Sequence, residues 1–179
     1  YFGGVDPKTH EYYVYMETFG GGSGARFNKD GLSCVQVHMT NTSNLPIESM
    51  EIEFPYMVEQ YTLVPDSGGP GKFRGGLSMY KDIRVLGQDS QFTVKADRQK
   101  TPPWGLVGGN PGLPGVITIY PGTPDEAVID SKKSGTTLKA NGVLRCQMPG
   151  AGGYGDPMER DRAMIVHDLE EGYITCESA

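Results

Sequence analysis

Apolar and polar positions alternate with a period of two along much of this chain, the pattern of strands with one buried face. Glu11–Thr18 is rich in β-formers and predicts a strand. Leu32–Met39 predicts a second, with Val35, Val37 and Met39 on one face and Cys34, Gln36 and His38 on the other. Asn41–Pro46 predicts a turn, because Asn and Ser side chains bond their own backbone. Met50, Ile52 and Phe54 alternate with Glu51 and Glu53, which predicts a half-buried antiparallel strand stopped by Pro55. Further strands are expected over Glu59–Val64, Leu77–Leu86, Gln91–Ala96, Val116–Tyr120 and Val143–Gln147. Gly87-Gln88-Asp89 joins Leu77–Leu86 to Gln91–Ala96 and makes that pair a hairpin candidate. Residues 121–142 read as surface, with turns at Pro121-Gly122 and Asn141-Gly142.

Helical periodicity is convincing only near the C-terminus. Ile165, Val166 and Leu169 give an apolar side, Asp161 is the expected N-cap and Gly172 the stop. An alternative start has Asp156 as cap and Pro157 at the first helical position. The expected fold is therefore mainly β: an antiparallel β-sandwich or open barrel with glycine-rich loops and one C-terminal helix, in a single domain over residues 1–179.

Composition sharpens this picture. With 26 Gly and 13 Pro in 179 residues and 37% hydrophobic positions, the chain favours short strands and many turns over long helices. The net charge of −6 and the lack of a basic face argue against nucleic acid as a partner. No apolar run approaches a membrane span. Tyr1-Phe2-Gly3-Gly4 lacks the basic region and apolar core of a signal peptide, and the chain begins as if cut from something longer. Cys34, Cys146 and Cys176 form no CxxC, so buried free thiols in a reducing compartment are expected rather than a zinc knuckle.

Three glycine-rich stretches punctuate the strands: Gly20–Gly24, Asp66–Gly76 and Gly108–Gly115. None is a nucleotide fingerprint. Gly71-Lys72 is followed by Phe73 and a strand rather than by Ser or Thr opening a helix, and Gly20–Gly24 leads into another strand pattern. Arg26 closes the first stretch and can offer a planar fork of donors to a carboxylate or phosphate, or form a structural ion pair. His38 can act as a general base near neutral pH, or as a hydrogen-bonded strand residue. Asn41 and Asn44 can orient a polar substrate or simply build the turn. Asp66 and Arg74 bracket the second stretch and are candidates to pair across it. No GxSxG elbow or Ser-His-Asp pattern is present.

Taken together, these motifs resemble the C-terminal part of the hydantoinase B / 5-oxoprolinase family. The match runs through Glu17-Thr18, Gly20–Arg26, Asp30-Gly31, His38–Thr42, Asn44, Pro46 and Glu48. It continues through Glu53-Phe54-Pro55, Asp66–Gly69, Gly71–Gly76, Pro103-Trp104-Gly105 and Gly152–Pro157 with Glu159-Arg160-Asp161. The resemblance implies part of the B subunit of an ATP-dependent cyclic amide hydrolase, contributing to the substrate site and a subunit interface. It implies cytoplasmic hetero-oligomers with a hydantoinase A-like ATPase subunit, which would bind ATP and Mg, and with the remainder of the B subunit, which would hold a divalent metal. No metal ligand is assigned within this chain. Arg26, His38 and Asn41 are the expected catalytic residues, and Gly21, Gly22, Gly24, Asn44, Asp66 and Arg74 the expected substrate-binding ones. A non-catalytic structural β module, or part of a related ATP-dependent ketone carboxylase, are the alternatives.

Overall fold

The computed structural model describes residues 1–36 and 39–179. Two antiparallel sheets are built from β1 (Phe2–Val5), β2 (Tyr12–Tyr15), β3 (Tyr56–Leu63), β4 (Met79–Val85), β5 (Ser90–Lys95), β6 (Val116–Ile119), β7 (Ala127–Ile129), β8 (Lys132–Leu138) and β9 (Val143–Gln147). One sheet has the order β2-β1-β5-β8, the other β3-β4-β9-β6-β7, and neither closes into a barrel. Phe2, Tyr15, Phe92 and Leu138 from the first sheet meet Ile83, Val85, Ile117 and Leu144 from the second in one core. This is the sandwich arrangement, with strand alternation supplying each inner face. Tyr56 sits at its aromatic centre, with the Phe2 ring 5.0 Å away.

The fold departs from the sequence expectation at several places. Met50 and Phe54 belong not to a strand but to α1 (Ile47–Glu53) and its C-cap. Pro46 stands at the N-cap position, where it makes no side-chain cap hydrogen bond, and Glu48 in the first turn suits the helix N-terminus. The helix puts Met50 and Phe54 four residues apart on one side, with Met50 buried and Ile52 left 84% exposed. The expected hairpin of β4 with β5 does not form either. β4 pairs with β3 and β9, whereas β5 pairs with β1 and β8, so Gly87 (φ 83°) lies where the chain crosses between sheets. Alternation specifies which face is buried but not which strand lies alongside. Residues 121–142 also contain β7 and β8; β8 buries only Leu138 and so shows no apolar face in the sequence.

Leu32–Met39 is not a ladder strand over its described part. Val35 makes a single bridge to Gly21 and Cys34 has φ 54°; Val37 and His38 lie outside the described residues. At the other end, both expected caps are used. The Asp156 carboxylate accepts from the Met158 N–H to open a short turn at Pro157–Glu159, and Asp161 accepts from Ala163 N–H to open α2 (Arg162–Glu170). The residue that α2 buries, however, is Asp168, while Val166 is 52% exposed. Of the three cysteines only Cys146 is buried; Cys34 is half-buried and Cys176 exposed. No helix among the described residues is long and apolar enough to cross a membrane.

Below the sandwich the glycine-rich stretches pack against one another without forming assigned strands. Gly150–Gly155 runs through their middle. Its backbone bonds Gly76, Asn110, Phe73 and Leu106 through Ala151, Gly153, Tyr154 and Gly155 N–H groups, and accepts from Ala25 at Gly152 O. Such close approach excludes side chains: a Cβ on Gly152 would overlap the Trp104 carbonyl, and one on Gly75 the Ala151 carbonyl.

Candidate functional site

Where the sandwich meets this glycine layer, the chain leaves a cavity of about 500 Å³. Its apolar wall comes from core residues such as Phe92, Ile117 and Leu144, and its polar side from Glu17, Gln36, Gln99 and Gln147. That mixture, an apolar body with a few polar groups, and that volume are those of small-molecule sites. Gly21 and Pro149 form part of the rim, tied together where Gly22 N–H donates to Pro149 O at 3.0 Å.

One wall carries a buried ion pair. Met79, Lys81, Ile83 and Val85 share the inward face of β4, so strand alternation drives Lys81 into the interior. Its Nζ donates to Glu17 Oε1 and Oε2 at 3.1 and 2.9 Å, with the two side chains 2% and 5% exposed. The Tyr15 hydroxyl also donates to Glu17 Oε2, and burial followed by that hydrogen bond raises the phenol well above its ordinary value. Lys81 Nζ further lies 5.5 Å from the Phe19 ring centre and 5.6 Å from that of Tyr61. Glu17 thereby becomes a fixed acceptor at the cavity wall. Cys146, on the same wall, is no nucleophile at neutral pH, because burial pushes its thiol up to about 12.

The expected site residues divide between the cavity edge and elsewhere. Gly21 borders the cavity, as do Gln36 and Thr40, which flank His38 in sequence. His38 itself lies outside the described residues. Arg26 is exposed, in a tight turn where its N–H donates to Lys29 O at 2.9 Å, and no partner for its guanidinium is found among the described residues. Asn41 is exposed with φ 36°, and Asn44 donates from Nδ2 to the Tyr61 hydroxyl at 2.9 Å. Gly22 approaches Gly76 too closely for a side chain, whereas Gly24 has nothing within 4 Å of a Cβ. Asp66 and Arg74 do not pair with each other. Asp66 receives Thr175 N–H at 2.9 Å and so holds the C-terminal segment.

Arg74 instead enters a buried charge network. Its Nε and Nη2 donate to Asp168 at 3.0 and 3.3 Å, and Arg160 Nη2 donates to the same carboxylate at 2.6 Å. Arg160 also grips Asp30 in a two-pronged contact, 2.8 Å on each side, while Arg74 N–H donates to Asp30 at 2.7 Å. This network clamps α2 onto the glycine layer. Residue spacing hides it, because Asp30 and Asp168 lie far apart in sequence; the one hint is that Asp168 falls beside the apolar positions of the helix. Burial alone would raise the Asp30 carboxyl, but the Arg160 contact and the Arg74 N–H outweigh it and hold the group below the ordinary 3.8. A depressed value in the folded state stabilises the fold above the ordinary carboxylate range and ceases to do so as pH falls through the folded value. Thermal melts should therefore show Tm falling as pH drops below about 4, with a shallower slope in Asp30→Asn.

Among the described residues, no group of three or more His, Cys, Asp or Glu is placed to hold a metal ion. The glycine run offers no phosphate cradle either, since Gly22, Ser23 and Ala25 N–H groups donate to Pro149, Leu32 and Gly152 carbonyls.

The B subunit of a putative D-/L-hydantoinase of Pseudomonas sp. (strain NS671) is 36% identical over 173 residues, 96% of this chain and 29% of that protein. A 5-oxoprolinase of Dictyostelium discoideum is 36% identical over 143 residues, 79% of this chain and 11% of that protein. The chain thus spans less than a third of either relative's length. Two solved structures share the fold: an ATP-dependent caprolactamase from Pseudomonas jessenii, with TM-score 0.78, 23% identity and 99% of this chain covered but 32% of that one, and a nucleotide-free acetone carboxylase, with TM-score 0.81, 21% identity and coverages of 98% and 28%. The family described as Hydantoinase B/oxoprolinase matches residues 1–157, and the chain belongs to that family.

Proposed function

We propose that this chain forms the C-terminal part of the B subunit of an ATP-dependent cyclic amide hydrolase of the hydantoinase/5-oxoprolinase type, where it contributes to the substrate site and a subunit interface. The observation that carries the reading is its 36% identity, across 96% of its length, to the B subunit of a putative hydantoinase. An unactivated amide is a poor electrophile. A partner ATPase that binds ATP and Mg would phosphorylate the amide oxygen and make attack by water feasible; a divalent metal would be held outside this chain. The role of this chain is to bind the ring and to stabilise charge that develops on it. Arg26, His38 and Asn41 are the proposed catalytic side chains. Arg26 stands first among them as an exposed cation in the turn that closes the glycine run, where the Gly22 and Ser23 N–H groups are already engaged with Pro149 and Leu32.

The test is turnover by the protein purified with the polypeptides it associates with. Ring opening and ATP hydrolysis should each require the other, and Arg26→Ala should lower the ring-opening rate by about 100-fold. Ring opening at the wild-type rate in Arg26→Ala would remove the residue from the reaction. A second reading, a non-catalytic structural module, is favoured by the glycine layer, whose close contacts need no ligand to explain them. It predicts no effect of Arg26→Ala. The ketone carboxylase alternative predicts ATP turnover that requires bicarbonate and a ketone.

A further inference from the structure

The cavity has two polar groups on its walls that the fold does not fully use. Glu17 is immobilised by Lys81 and Tyr15, yet its Oε1 has one described donor where Oε2 has two. A carboxylate oxygen accommodates two hydrogen bonds, so Oε1 retains an acceptor position. Gln99 borders the same cavity, and its Nε2 is buried with no hydrogen-bond partner among the described residues. A buried amide donor without an acceptor is costly, and such a group calls for an explanation. Nε2 is closed off from solvent, but rotation of the amide about χ3, a soft torsion, reorients it. Phe92, Ile117 and Leu144 supply an apolar stretch of the wall, and Gln36 and Gln147 add further polar groups. Lys81 neutralises Glu17, so the carboxylate acts here as a paired acceptor, while Lys95, Asp97 and Arg98 also line the cavity.

We infer that Glu17 and Gln99 are specificity-determining residues: Glu17 Oε1 accepts the ring N–H of a secondary lactam or imide, and Gln99 Nε2 donates to the adjacent ring carbonyl. This inference rests on the proposed amide-processing function and deepens it by assigning the two edges of the amide to two side chains. A ring whose nitrogen is alkylated has no hydrogen for Glu17 and sets a methyl group against a desolvated carboxylate. A ketone supplies the acceptor alone. The site thereby discriminates through polar groups left unmatched by the wrong ligand, the mechanism that gives large selectivity.

The probes are 2-pyrrolidone and N-methyl-2-pyrrolidone, titrated calorimetrically into the protein in its complete assembly. Wild type should bind the N–H lactam at least tenfold more tightly than its N-methyl analogue. Gln99→Met, which keeps the bulk of the side chain and removes the donor, should weaken 2-pyrrolidone by about fivefold to tenfold with no fall in Tm, since Nε2 has no described partner to lose. Glu17→Gln strands Lys81, so it is read only beside a melting curve; Lys81→Arg, which keeps the ion pair, should retain the preference for the N–H ring. Equal affinity for the two lactams, or 2-pyrrolidone binding unchanged in Gln99→Met, would overturn the inference. The two levels fail separately. Lactam-dependent ATP hydrolysis with a KM indifferent to Gln99→Met leaves the proposed function standing and ends this assignment. Selective binding without lactam-dependent ATP hydrolysis keeps the assignment and ends the proposed reaction.

Discussion

Asp168→Ala is expected to lower stability by about 3–5 kcal/mol and Tm by about 10 °C or more. Asp168 lies in α2 with its side chain 2% exposed, and its carboxylate is shared by the guanidinium groups of Arg74 and Arg160, each 8% exposed. Removing it leaves two cations buried beside one another with Asp30 as the nearest remaining carboxylate, and the uncompensated charge costs more than the lost hydrogen bonds. A loss of that size is a large fraction of the stability of an ordinary domain. Asp168→Asn should fall between wild type and alanine, because it keeps one acceptor oxygen. Thermal melting followed by circular dichroism measures both. An alanine variant melting within a degree or two of wild type would show that the clamp contributes nothing.

Gly152→Ala should be comparably damaging from a single methyl group. Its new Cβ would overlap the Trp104 carbonyl, and Gly105 N is only 2.8 Å from the same point. Both obstacles are backbone, so the strain cannot be relieved by turning a side chain; overpacking costs about 1–3 kcal/mol, occasionally more, and a backbone clash belongs at the upper end. Gly75→Ala, aimed at the Ala151 carbonyl, should behave alike. Gly24→Ala is the control, with nothing within 4 Å of its Cβ, and should melt as wild type or slightly higher. Urea titration of the three variants gives the ordering directly. Equal midpoints would mean that the glycine layer is loosely packed.

The strands that bury one face were legible in the sequence. β3, β4, β5, β6 and β9 lie where alternation put them, give or take a few residues at the ends. Both cap motifs before the C-terminal helix were legible for the same reason: a cap is a local contact, written in neighbouring residues. Partner choice was not legible. β4 and β5 follow one another through a short turn yet enter different sheets, and nothing in their alternation encodes that. α1 was hidden because Met50, Ile52 and Phe54 satisfy a period of two, and only the burial of Met50 against the exposure of Ile52 separates the readings. At the site, family motifs located Gly21 and the start of the cavity rim. They did not reveal Lys81 or Gln99, which come from strand β4 and from the segment after β5, and which reach the site only through tertiary packing. Arg74 was singled out for the right kind of chemistry but the wrong partner, because its carboxylate lies on α2, 94 residues away in sequence.

The most direct measurement is photolabelling of the complete assembly, in the presence of ATP, with a diazirine-bearing lactam, followed by peptide mapping with and without excess unlabelled lactam. Label is expected on Glu17–Gly21 and Phe92–Gln99, the stretches that border the cavity, with its loss under competition. Protectable label confined to other surfaces of the chain, or none on this chain at all, would contradict it.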